Sequence, residues 1–147
     1  MKLKKIISKL SLEEKVSLLS GFDNWYTPNI KKHGIPKIKM SDGPNGVRGD
    51  SSTPQTSACF PSPILLGATW NEKLIKKIGS ATGEEALYKD VDVLLAPTIN
   101  LHRHPLGGRH FECYSEDPVL TSKIACSYVS GVQSKGGCFL FKAFYWK

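Results

Sequence analysis

The segment GGRHFECYSEDP, residues 107–118, sets an arginine, a histidine, two glutamates and an aspartate beside a pair of glycines. Glycine lets a backbone approach a ligand closely. The planar fork of Arg109 suits hydroxyls and carboxylates. Glu112, Glu116 and Asp117 are further acidic candidates, although Glu116-Asp117-Pro118 reads most simply as the acidic start of a helix, where the dipole favours negative charge. A second concentration, SDGPNGVRGD at residues 41–50, places Asp42 and Arg48 on one tight loop. Gly43, Pro44, Asn45 and Gly46 specify a particular backbone path. Such a loop can hold a carboxylate firmly enough to accept two hydrogen bonds from vicinal hydroxyls. An aspartate turn with a surface arginine fits the same pattern equally well. His102 and His104 flank Arg103, but no third ligand accompanies them, so they read as loop polarity and not as a metal pair. Trp25, Tyr26 and Trp70 fit either a core or a platform for a sugar ring.

These residues depend on the elements around them. SLEEKVSLLSG carries a capping box, Ser11 with Glu14, and sets Leu12, Val16 and Leu19 on one helical face before Gly21 ends it. KIKM has strand-like alternation and runs into the Asp42 loop. SPILLGATW reads as a short buried strand. NEKLIKKIGSATGEEALYKD reads as a helix capped by Asn71, with Leu74, Ile75, Ile78 and Ala81 at helical spacing. VDVLLAPT is a continuous apolar run of the kind found in a parallel sheet covered on both faces. The loop at residues 99–118 follows, and PVLTSKIACSYVSGVQSKG is a last helix with Ser115 as its expected cap. Strands alternating with helices predict an α/β fold with parallel strands. In such folds, sites gather where strands end, which would put Asp42 and Arg109 on one rim.

The bulk properties narrow the function classes. The chain has 147 residues, 40% of them hydrophobic and 22% charged, which suits one globular domain. It holds no run of about 18 apolar residues, so no membrane span is expected. The opening MKLKKIISKLSLEEK is broken by Ser8, Lys9 and Glu13. It reads as an amphipathic helix and not as a signal peptide. That points to a cytoplasmic protein, or to a piece whose natural start lies elsewhere. Cys59, Cys113, Cys126 and Cys138 lack zinc or CxxC spacing and read as free thiols. The net charge of +7 invites a nucleic-acid reading. Its distribution argues against one: the lysines are scattered, as on a solvated surface, while Arg48, Arg103 and Arg109 all sit in glycine- and proline-rich segments.

Taken together, EKVSLLSG…W, GIPKIKMSDGPNGVRG, CFPSPILLGATWN, LLAPTINLHRHPLGGRHFECYSEDP and GVQSKG resemble, in order and spacing, the N-terminal part of glycoside hydrolase family 3. The likeness is to its β-glucosidases of the fungal and bacterial type, over nearly all of residues 8–136. The resemblance implies a (β/α)₈ TIM barrel of which this chain supplies only the first βα units. It implies retaining hydrolysis of terminal non-reducing β-D-glucosyl residues, with a small β-glucoside or oligosaccharide as partner and neither nucleic acid nor membrane. It also implies residue roles. Asp42 of SDGP would bind hydroxyls of the terminal glucose, and Arg48 and Arg109 the same sugar. Leu95 of LLAP would line the pocket, and Glu112 would orient Arg109 from behind. No metal and no organic cofactor is implied.

A barrel of this kind needs about 250 residues. In the family, the nucleophilic aspartate lies in a later SDW segment and the acid/base glutamate in a second domain. No carboxylate here takes either role, so the chain by itself is expected to be inactive. A non-catalytic carbohydrate-binding remnant is the alternative. The domain expected from the resemblance ends at residue 136, and residues 137–147 form an aberrant tail. The family continues there with a strand and a Lys-His-Phe motif. Codons for Gly137 to Trp146 can be chosen so that a one-base shift reads Val-Ala-Phe-Cys-Leu-Lys-His-Phe-Ile-Gly. Those codons are mostly A/T-rich, in keeping with 17 lysines against three arginines. The tail is therefore expected to be a frameshift product. Sequencing the locus and its transcript across codons 130–147 should show Lys-His-Phe in another frame, and its absence from every frame would sink the idea.

Overall fold

A computed structural model describes residues 2–48, 56–136 and 138–142. The chain divides into two compact units, Met1–Met40 and Ser41–Lys147. In the first, the expected opening helix is two helices, α1 (Lys2–Ile7) and α2 (Leu12–Ser20). The break has a local cause. The Ser11 hydroxyl accepts from the Glu14 N–H at 3.2 Å, and Glu14 accepts from the Ser11 N–H at 2.9 Å, so a new helix starts there. The Glu14 carboxylate also meets Lys32 at 2.8 Å, and that bond holds its pKa below the ordinary value. Leu12, Val16 and Leu19 share a face as expected, yet they are 73%, 56% and 89% exposed. Antiparallel bridges at Tyr26–Lys39 and Ile30–Ile35 complete the unit.

The strand expected at KIKM begins only at its last residue: β1 is Met40–Asp42. The run SPILLGATW is not a strand. Pro63–Ala68 is helix α3, with Pro63 in the first turn and Ser62 at the cap position. A short apolar run does not distinguish strand from buried helix by periodicity. One-sided burial settles it here: Pro63, Leu66 and Gly67 are buried, while Ile64 and Leu65 are exposed.

Helix α4 (Glu72–Tyr88) starts where expected, with the Asn71 side chain accepting from the Leu74 N–H at 3.0 Å. Ile75 is fully buried and Ile78 partly so, but Ala81 is exposed. Strand β2 (Val93–Thr98) follows. Helix α5 (Pro118–Gln133) is capped by Asp117, which accepts from the Val119 N–H at 2.7 Å, and not by Ser115. Ser115 instead accepts from the Asp117 N–H at 3.0 Å and orients the cap. Strand β3 (Cys138–Lys142) completes a sheet in the order β1-β2-β3. β2 and β3 are parallel, with Val93 opposite Cys138 and Thr98 opposite Lys142. The register slips between Leu95 and Thr98. Pro97 lies in that interval and has no N–H to give the ladder. The observed class is α/β, as the sequence predicts. No helix among the described residues is long and apolar enough to cross a membrane.

The core of the second unit gathers Val47, Leu66, Ile75, Leu94, Ile124 and Val132 around Tyr128. Helices α4 and α5 meet backbone to backbone. A Cβ on Gly79 would overlap the Tyr128 carbonyl, and one on Gly131 would overlap that of Lys76. Burial pushes the Tyr128 hydroxyl up to about 12, and that of Tyr114 well above its ordinary value of 10.0. Above pH 10 the unfolded chain gives up protons that the folded chain keeps. The tyrosines' contribution to stability is therefore constant below that pH and falls above it by about 1.4 kcal/mol per pH unit for each such tyrosine, until the folded-state value is reached. Urea denaturation between pH 8 and 11.5 should show the decline, and Tyr128→Phe should remove one tyrosine's share. An unchanged slope would contradict the assignment.

Candidate functional site

The Asp42–Arg48 loop is built from backbone bonds. The Arg48 N–H donates to the Asp42 carbonyl at 2.9 Å, and the Gly46 N–H to the Gly43 carbonyl at 3.3 Å. The Phe60 N–H reaches the Asn45 carbonyl at 2.7 Å. Gly46 has φ +136, and a Cβ there would overlap the Ala58 carbonyl, so only glycine fits. Val47 is fully buried and fastens the loop to the core, while Arg48, the next residue, is exposed. Asp42 ends β1 and is partly buried. The loop thus alternates anchor and presentation within two residues.

Two helix residues complete this loop. Lys89, expected among the solvated lysines, is 2% exposed. Its Nζ donates to the Val47 carbonyl at 2.8 Å and to Ser57 Oγ, and it pairs with Glu85 at 3.0 Å. Glu85 accepts from the Ala58 N–H at 2.9 Å and from the Val47 N–H at 3.4 Å. Sequence reading misses both residues. Spacing of i,i+4 on a helix ordinarily marks an exposed pair. The available signal is position: the pair sits at the C-terminal end of α4, immediately before a buried strand.

The second loop leaves β2 after Thr98. His102 and His110 stack at 4.7 Å between centroids. His102 Nε2 lies 3.0 Å from the carbonyls of both His110 and Cys113, so that nitrogen carries the proton. His104 Nδ1 accepts from the Leu106 N–H at 3.2 Å. Both histidines therefore tie the loop together. Among the described residues no group of three potential metal ligands assembles. Burial pushes the Cys113 thiol up, away from the thiolate form.

At the centre of this loop Glu112 is 4% exposed. One oxygen pairs with Arg109 Nε, and the other accepts from Thr98 Oγ1 at 3.2 Å. Thr98 is itself fully buried at the end of β2. The strand thus fixes the glutamate, and the glutamate fixes one edge of a guanidinium whose side chain is 48% exposed. Leu95 is half-buried in the same strand. Of the residues singled out from sequence, Arg109 and Glu112 are joined directly, and Asp42 and Arg48 through the backbone. β1 and β2 are neighbours in the sheet.

Residues 6–145 match the model of the Glycosyl hydrolase family 3 N terminal domain. The chain belongs to glycosyl hydrolase family 3. Its curated relatives include a β-glucosidase of Rhizobium radiobacter, 55% identical over 141 residues, covering 95% of this chain and 17% of the relative. β-Glucosidase B of Emericella nidulans is 51% identical over 132 residues, covering 89% and 16%. Among solved structures, the Kluyveromyces marxianus β-glucosidase in complex with glucose superposes with a TM-score of 0.88 at 41% identity, over 96% of this chain and 17% of that one. β-Glucosidase 3B of Thermotoga neapolitana, in complex with α-D-glucose, gives 0.84 at 40% identity, over 97% and 23%. The chain spans about a sixth of the length of the first two relatives.

The geometry sets the cost of disturbing this family 3 loop. Glu112→Gln keeps a partner for Thr98 but loses the ion pair, which is half in water, so about 1 kcal/mol of stability should go. Glu112→Ala also strands the buried Thr98 hydroxyl and should cost about 2–3 kcal/mol. Urea denaturation of the two variants checks the order, and equal losses would show that Thr98 does not depend on Glu112.

Proposed function

We propose that this chain forms one side of the glucose-binding pocket of a β-glucosidase barrel. The supporting observation is a carboxylate and two arginines on braced loops, in a chain whose relatives are β-glucosidases. Asp42 accepts hydrogen bonds from vicinal hydroxyls of a terminal glucose, Arg48 and Arg109 donate to the same sugar, and Leu95 lines its apolar face. Glu112 holds the guanidinium of Arg109 in plane. In a (β/α)₈ barrel, successive parallel strands deliver their following loops to one rim, where sites form. The first βα units of such a barrel would bring both loops to a single sugar.

The reaction this pocket serves is retaining hydrolysis of a terminal β-D-glucosyl residue. It needs a nucleophilic carboxylate and a carboxylic acid/base about 5–5.5 Å apart. On the family resemblance, neither role falls to a residue of this chain. The chain's share is to bind and orient. Titrating the isotope-labelled chain with D-glucose should shift amide signals around Asp42, Arg48 and Arg109. Asp42→Ala should weaken binding at least tenfold. Shifts that survive Asp42→Ala undiminished would overturn this reading.

A further inference from the structure

The peptide unit joining Val47 to Arg48 is held on both edges. Its N–H belongs to Arg48 and donates to the Asp42 carbonyl at 2.9 Å. Its oxygen belongs to Val47 and accepts from Lys89 Nζ at 2.8 Å and from Ser57 Oγ at 2.8 Å. A peptide unit is planar. Fixing both edges fixes the plane, and with it the direction in which Arg48 leaves the loop. The N–H on the other side of Val47 is taken by Glu85 at 3.4 Å. Both backbone polar groups of the residue before Arg48 are thus set by two side chains one helical turn apart, Glu85 on α4 and Lys89 at its C-cap.

A pair kept only for stability has no need of charge. Removing an ammonium and a carboxylate from water is costly, and a buried ion pair is often matched or bettered by apolar side chains of similar volume. Apolar side chains could not direct the peptide plane. Here both charges point at backbone groups of the Arg48 loop, at Val47 and Ala58.

The geometry points to Glu85 and Lys89 as positioning residues for sugar binding, setting the direction of Arg48 and, through the shared hydrogen bond, of Asp42. They act through the loop and do not touch the sugar. This inference rests on the glucose-binding reading above.

The test uses the whole chain, labelled with nitrogen-15, and four variants: Lys89→Met, Lys89→Arg, Glu85→Gln, and Glu85→Gln combined with Lys89→Met. Two quantities are read: amide hydrogen exchange at Val47 and Ala58, and affinity for D-glucose. Lys89→Met is expected to speed exchange at those two amides at least tenfold, while Ile124 in α5 keeps its protection. Glucose affinity should fall tenfold or more, and Lys89→Arg, which retains a donor, should recover part of it. Should Lys89→Met alone lose its dispersed spectrum, the neutral double variant takes its place with the same expectations. Faster exchange with glucose affinity within twofold of the parent would make the pair merely structural and overturn the inference. So would unchanged exchange, or loss of the fold in the double variant. If the parent chain shows no glucose-dependent shifts, the sugar reading fails and the positioning role fails with it. The exchange data then report separately whether the loop is held.

Discussion

An ammonium taken out of water must find its acceptors inside the protein, and at Lys89 that requirement organises the structure around it. Its acceptors include the Val47 carbonyl, Ser57 Oγ and Glu85. They become available only when α4 is formed and the chain on both sides of Arg48 has been laid against it. Lys89 also occupies the C-cap of α4, its own N–H returning to the Glu85 carbonyl. A cation there is favoured by the helix dipole. Helix, cap and loop therefore share one electrostatic condition, and none of the three is satisfied alone.

The support runs deeper, into the contact between α4 and α5. Gly79 and Gly131 let the two backbones touch. A helix pair this close has little freedom to slide, because at these glycines backbone meets backbone with no side chain between. Tyr128 stands on that contact, and its hydroxyl reaches the Gly43 carbonyl at 3.5 Å, beside Asp42. The Asp42 loop is thus braced at Gly43 by α5 and at Val47 by α4. Its stiffness comes from the helices behind it.

What could be read in advance follows from the range of each interaction. The capping box of α2, the Asn71 cap of α4 and the apolar run of β2 are local, and the structure has them where the residues place them. The Arg109–Glu112 pair spans three residues and is equally visible. Errors come where local signals are degenerate or the decisive partner is far away. Proline and leucine in SPILLGATW suit a helix start as well as a strand, and only burial chooses. Ser115 and Asp117 are both good caps, and the geometry before Pro118 selects the second. Lys89 looks like any solvated lysine because its acceptor at Val47 is 42 residues away in sequence. The local Arg109–Glu112 pair is legible; the long-range bonds that hold the Arg48 loop are not.

If the ligand is a neutral sugar, as proposed, holding still matters for a physical reason. Hydroxyls offer charged groups no net Coulomb attraction, only hydrogen bonds, and these weaken steeply off axis. Binding therefore depends on direction more than on charge. A charged group kept near such a ligand must have its own charge answered by the protein, or desolvation on binding works against it. Arg109 is answered by Glu112, and Lys89 by Glu85. In each case the answering carboxylate does a second thing. Glu112 fixes one edge of the guanidinium, and so the directions of its other N–H groups. Glu85 fixes the backbone from which Arg48 departs. Charge balance and aim are achieved by the same contacts.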